Sequence, residues 1–364
     1  MNFKKFSLWA CGLVLCCISM SCVDTTSTTK SVYASGVFVT NEGLFPSGSG
    51  SVSFFNRNDT TVTNNIFESA NGGANLGSVV QSMAIQGNSA YIVVNNANKI
   101  LIVNSGDFTK TGVMDNTVLP RYFLPLTTTK AYISEYGKDT ATGKNAGAIR
   151  VYDVVNNQIT KRILLNTKGA NQMLLTGAKV YVGNDGGNIV GSAVDSVISV
   201  VTANGDSLLK TIPLGAGAYN VKGMALDINN DLWILCTGSW DRPASTGKLI
   251  KLHGEVVERT FDIPIGATEL VTDASKYNLY FIADNKIYTK DILNFGATPP
   301  TVWMSNPAFK TLYGMGFDPK SGFFFVADAG NFTSAGQIHV INPSDKSLKY
   351  SKAVGIVPNG FYFN

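Results

Sequence analysis

Two histidines, His253 and His339, are the only imidazoles in this 364-residue chain, so histidine general-base chemistry must pass through one of them. Of five cysteines, Cys11, Cys16, Cys17 and Cys22 crowd the start, and Cys236 stands alone in the apolar run Leu232-Trp233-Ile234-Leu235-Cys236. A lone thiol among aliphatic residues reads as a small buried hydrophobe rather than half of a disulfide. No His or Cys cluster has the spacing of a transition-metal site. Gly186-Gly187 lacks the strand-to-helix setting of a phosphate cradle, so neither metal nor cofactor is expected. Carboxylates remain: Glu42, Glu135, Glu269, Asp185, Asp241 and Asp328 would support acid–base work if the fold converged them. Turn duty and calcium ligation compete for the same residues, although no Asp-rich calcium loop is present.

What must position these groups is a repeat of about 46 residues, within the range of propeller blades. An aromatic-containing apolar strand recurs as Val37-Phe38-Val39, Tyr91-Ile92-Val93-Val94, Tyr132-Ile133, Tyr181-Val182, Trp233-Ile234-Leu235, Tyr280-Phe281-Ile282 and Phe324-Phe325-Val326. A polar turn and an aliphatic strand follow each copy, from Val52-Ser53-Phe54-Phe55 to Ile338-His339-Val340-Ile341. Ahead of each pair lies a strand of small and apolar residues, such as Ser82-Met83-Ala84-Ile85 or Gly223-Met224-Ala225-Leu226, suited to a crowded axis. Behind it lies a more polar strand, such as Gln158-Ile159-Thr160-Lys161, suited to an outer rim. The expected fold is an all-β, seven-bladed β-propeller with four-stranded blades. The first copy lacks its innermost strand, and Asn359-Gly360-Phe361-Tyr362-Phe363 supplies that pattern at the other end. The C-terminal strand is therefore expected to join the N-terminal blade and close the ring, leaving no open edge.

This arrangement sorts the candidate residues. The position at the start of each inner strand is Gln81, Arg121, Asn171, Lys222, Glu269, Tyr313 and Asn359, a polar ring at the mouth of a central channel. Loops between second and third strands open on the same face and carry Asn41, Glu42, Phe45, Asn95, Asn96, Tyr136, Asp185, Trp240, Asp241, Arg242, Asp328 and Phe332. Aromatic side chains beside adaptable amides make a ligand-binding palette. Both the ring, Glu269 excepted, and these loop residues are expected to touch ligand, with Trp240 foremost. The second-strand residues Tyr91, Tyr132, Tyr181, Trp233 and Tyr280 are expected in the core between blades. His339 falls inside a third strand and His253 at the end of one, on the opposite face. Neither is placed to act as a base on ligand in the mouth, so the chain is expected to bind rather than to catalyse.

Lys4 and Lys5 precede an apolar stretch, Phe6 to Met20, of about fifteen residues, the length of a signal h-region and short for a membrane span. Ser19-Met20-Ser21-Cys22 resembles the lipobox of bacterial lipoproteins, which implies cleavage before Cys22 and lipidation there. The reading is a signal peptide at 1–21, a flexible polar tether at 22–34 and a propeller at 35–364. Net charge is +4 with only 15% charged residues, and no basic stripe appears, so nucleic acid is not an expected partner.

The segments Tyr91-Ile92-Val93-Val94-Asn95-Asn96, Lys99-Ile100 and Val39-Thr40-Asn41-Glu42-Gly43 resemble a family of Bacteroidetes surface lipoproteins related to YncE-like seven-bladed propellers. That family includes the BtuG-type proteins, which capture vitamin B12 and pass it to the TonB-dependent transporter BtuB. The resemblance covers the whole mature chain and implies a lipid-anchored outer-membrane protein, displayed at the cell surface or facing the periplasm, that hands a bulky neutral ligand such as cobalamin to a transporter. The alternatives are a carbohydrate- or protein-binding adhesion propeller and, third, a lyase-like propeller enzyme.

Overall fold

A computed structural model describes residues 31–137, 146–186, 194–242, 244–293 and 298–364. The expected signal segment, Cys22 and the expected tether up to residue 30 lie outside these, as do Asn145, Gly187, Asn188 and Pro243 of the loops. The described strands form seven sheets, each of four strands. Blades two to seven each run inner to outer strand in chain order, as in Val80–Gln86, Ser89–Val94, Lys99–Asn104 and Lys110–Met114 of blade two. Blade one takes Pro358–Phe363 as its inner strand, paired antiparallel with Gly36–Asn41 through Val39↔Phe361 and Thr40↔Gly360. The ring closes as the repeat requires.

The second strands are buried almost throughout and apolar at their centres because both faces of every blade are covered, and period-two alternation splits each strand between two neighbours. In blade seven, Phe324 and Val326 pack toward blade six, whereas Phe325 packs toward blade one. Seven such clusters fill the seven interfaces. The expected core aromatics are all there: Tyr91 stacks on Phe123 with centroids 4.0 Å apart, and Tyr280 meets Phe324 at 4.6 Å. Cys236 is fully buried and unpaired, and burial pushes its thiol far up. Near the axis the inner strands almost touch. A Cβ on Gly314 would lie 2.3 Å from the carbonyl oxygen of Asn359, so only glycine fits there.

The end of the expected tether is ordered. Tyr33 is buried among Phe38, Phe54 and Phe108, at the seam of blades one and two. The Val32 N–H bonds the Gly106 carbonyl at 2.9 Å, on the turn between the third and outer strands of blade two. A polar composition misses this because a single aromatic ring does the docking.

Closure has its own clamp. Arg57 of blade one grips Asp318 of blade seven by two bonds of 2.7 and 2.9 Å, and its Nη1 donates to the Asn364 carbonyl at 2.7 Å. Burial alone would raise the Asp318 carboxyl, but Arg57 and Ser321 hold it below its usual range. Such a group stabilises above its unfolded pKa and loses that contribution as pH falls through its folded pKa. Arg57→Ala strands a buried carboxylate and should cost about 3–5 kcal/mol in urea unfolding at pH 7. The deficit should shrink toward pH 3; an unchanged deficit there would assign the loss to packing.

Candidate functional site

Each inner strand carries one extra residue at the same place. Pairing jumps from Val80 to Ser82, from Pro120 to Tyr122, from Val221 to Gly223, from Thr268 to Leu270 and from Leu312 to Gly314. In blade four it jumps from Ala170 to Met173, and in blade one from Pro358 to Gly360. The residues set out of register include Gln81, Arg121, Asn171, Lys222, Glu269, Tyr313 and Asn359. A β-bulge re-aims the side chain at the extra position, and here seven bulges turn seven polar side chains into one channel mouth. All seven line a cavity of about 1420 Å³ along the axis. The backbone is strained beside it, with positive φ at Val79, Leu119, Asn220 and Val357, each two residues before a ring residue, and at Glu269 itself.

The ring is cross-linked. Arg121 donates through Nε to Asn171 Oδ1 at 3.3 Å and through Nη1 to Gln81 Oε1, and its guanidinium lies 4.8 Å from the Tyr136 ring centre. Lys222 pairs with Asp185 at 3.0 Å, and the Tyr136 hydroxyl donates to the same Asp185 oxygen at 2.6 Å. Burial would raise Asp185, yet Lys222, Arg121 and Tyr136 hold it below its usual range. Opposite, Glu42 accepts from the Tyr313 hydroxyl at 3.3 Å and from Asn359 Nδ2 at 3.2 Å. Burial outweighs these bonds, and Glu42 is pushed upward. Glu269 has no hydrogen bond or ion pair among the described residues; burial, only partly offset by Lys222, carries it to about 8.

The rim holds exposed aromatics on the same face. Trp240 is 77% and Phe45 74% exposed, and both border the cavity with Asn96 and Phe332. Phe332 meets Tyr313 edge-on at 5.5 Å.

Not every expected residue arrives there. Asn41 is fully buried, and its Nδ2 braces Ser51, Ser53 and the Val39 carbonyl from 3.0 to 3.3 Å. Asn184 makes the equivalent brace in blade four, to Ser199 and the Val182 and Val197 carbonyls. Asn95 borders the cavity but spends its amide on the Pro120 carbonyl at 2.9 Å. Asp328 is buried and accepts from the backbone of Lys310, Thr311 and Gly330. It also contacts His339 at 3.3 Å; burial opposes these bonds, but they draw the carboxyl down to about 2. Asp185 stands behind the ring and supports Lys222 and Tyr136. Asp241 is exposed and away from the cavity wall, and Arg242 lies over Tyr219 at 4.8 Å. Tyr122, Gln172 and Tyr362 line the channel without having been singled out; each follows a ring residue closely in an inner strand, which is the signal that marks them.

Residues 35–363 match the family described as a domain of unknown function, DUF5074. The chain belongs to that family. No curated protein matches it in sequence. In three dimensions this DUF5074 domain is similar to a quinonprotein alcohol dehydrogenase-like protein from Bacteroides thetaiotaomicron, with a TM-score of 0.65 at 12% identity, over 91% of this chain and 78% of that one. A functionally unknown protein from Desulfotomaculum acetoxidans gives 0.64 at 8% identity, over 91% and 99% of the two chains. Hydrazine synthase from Kuenenia stuttgartiensis gives 0.60 at 12% identity, over 75% and 86%. At such identities the likeness is one of fold.

On the opposite face of the DUF5074 propeller the chain assembles a group that spacing alone conceals. Ligand atoms of Asp231, His253 and Glu258 come within 4.8 Å of one another. The Lys251 ammonium already bridges the two carboxylates, at 2.8 Å from Asp231 and 2.9 Å from Glu258. A bulge between Lys251 and Leu252 shifts the outer strand's register there.

A raised carboxyl pKa means that the folded protein binds more protons than the unfolded chain between the two values. For Glu269 that window runs from the usual 4.5 to about 8, and stability contributed by the proton falls as pH rises through it. Glu269→Gln should therefore unfold at least about 2 °C above the parent at pH 8.5, with a smaller difference at pH 5. Equal differences at both values, by thermal melting, would show that Glu269 ionises freely.

Proposed function

We propose that this propeller holds a bulky, largely uncharged ligand over its channel mouth and does not transform it. Seven bulge-directed polar side chains converging under exposed Trp240 and Phe45 carry the reading. Amides and hydroxyls supply both donors and acceptors at modest cost in desolvation, and the aromatic rim supplies apolar area. The cavity exceeds the roughly 300–1,000 Å³ that encloses drug-sized molecules, which favours a large ligand. Cobalamin, a wide disc fringed by amides, has the matching chemistry. Among the described residues the cavity is lined by amides, hydroxyls and aromatic rings without histidine or cysteine, which favours capture over catalysis.

The lipobox-like Ser19-Met20-Ser21-Cys22 supports lipidation at Cys22, and with it an outer-membrane protein that passes its ligand to a TonB-dependent transporter. Cys22→Ala should move the protein from the detergent-rich to the aqueous phase in detergent partitioning. Retention in the detergent phase would remove the anchor.

Titration of the purified protein with cyanocobalamin and an oligosaccharide panel, followed calorimetrically, tests the ligand class. Saturable cyanocobalamin binding is expected, and Trp240→Ala should weaken it by about 2 kcal/mol, near thirtyfold. Binding confined to an oligosaccharide would replace capture by an adhesion role, supported by the same exposed aromatics. Undiminished binding by Trp240→Ala would move the site off the rim.

A further inference from the structure

The two cations of the mouth are not equivalent. Lys222 is matched by Asp185 at 3.0 Å. Arg121 has no carboxylate within ion-pair distance among the described residues, and neutral groups hold it instead: the Asn171 and Gln81 amide oxygens and the Tyr136 ring. These contacts fix the plane of the guanidinium and use Nε and Nη1. Nη2 makes no hydrogen bond among the described residues, and the side chain lines the cavity. The mouth's carboxyls lie elsewhere: Glu269 stands across the ring on blade six, and Glu42 on blade one is engaged by Tyr313 and Asn359.

As a strut between blades two and four, a neutral amide would serve Arg121's bonds to Gln81 and Asn171. Asp185 and Glu42 act on Arg121 only through space, and a charge withdrawn from bulk water with no carboxylate bonded to it is costly unless a partner repays it. A guanidinium held in one plane by neutral acceptors is pre-organised to take a planar or tetrahedral oxyanion through its remaining donors. We propose that Arg121 receives one oxyanion of the ligand, a phosphate ester or a carboxylate, at the blade-three side of the mouth. The inference rests on the reading of the mouth as a ligand site, and it orients that ligand: its anionic group toward Arg121, its neutral or donor-rich edge toward Glu42 and Glu269.

The test titrates the full chain with sodium phosphate and, separately, sodium acetate, at constant ionic strength in sodium chloride, following melting temperature and tryptophan fluorescence. Wild type should show saturable phosphate binding in the millimolar range; stronger binding of acetate would assign the site to carboxylates. Arg121→Gln should weaken the preferred anion at least tenfold. Arg121→Lys, which keeps the charge and loses the fork, should fall between, and it serves as the probe if the glutamine variant does not fold. Equal anion effects in wild type and both variants, or none in wild type, would overturn the proposal. Parallel titration with cyanocobalamin keeps the two readings separate. Arg121-dependent anion binding without cyanocobalamin binding retains the anion site and discards only cobalamin; the reverse pattern discards the anion site alone.

Discussion

A strand paired residue for residue with its neighbour sends its side chains alternately to the two faces of the sheet. In a propeller both faces are covered by adjoining blades, so regular pairing offers nothing to the axis. The single unpaired residue near the start of each inner strand breaks that rule once per blade. Without it, Arg121, Lys222 and their counterparts would be driven into apolar interfaces that have no place for them. The cost is visible in the positive φ of Val79 and Val357, conformations that a β-branched residue adopts only when its surroundings enforce them.

That enforcement comes from the closed ring. Inner strands crowd until Gly314 faces the backbone of Asn359 without room for a methyl group, and seven apolar interfaces press the blades together. Because Asn359 belongs to both the last strand of the chain and the mouth, closure and site formation are one event. Its Oδ1 accepts from Thr40 at 2.6 Å, while its Nδ2 reaches Glu42 and the Val80 and Gln81 carbonyls. Blades one and two therefore meet at a single amide, while blade seven presses on the same residue's backbone through Gly314.

Much of this was legible in the residues. Periodicity fixed the blades, the C-terminal pattern completed the first one, and alignment of the repeats placed all seven ring positions. Pattern reading failed where a polar side chain has two uses. Asn41 and Asp328 sit at strand ends beside a ligand-facing loop, and only the hydrogen-bond partners show that they brace the backbone instead. The Ser53 and Ser199 hydroxyls, at matching places in two blades, are the sequence trace of that brace. Asp231, His253 and Glu258 were missed for another reason: a bulge, invisible in one sequence, decides which side chains on neighbouring strands become adjacent.

Tyr33 also sets a direction. It docks beside the turn that carries Gly106, and turns between third and outer strands lie at the end of the disc remote from Trp240 and Phe45. Ser31 to Tyr33 are thus pinned to the underside of the disc, so the first described residues add their packing to the base of blades one and two and leave the opening of the pore clear of them.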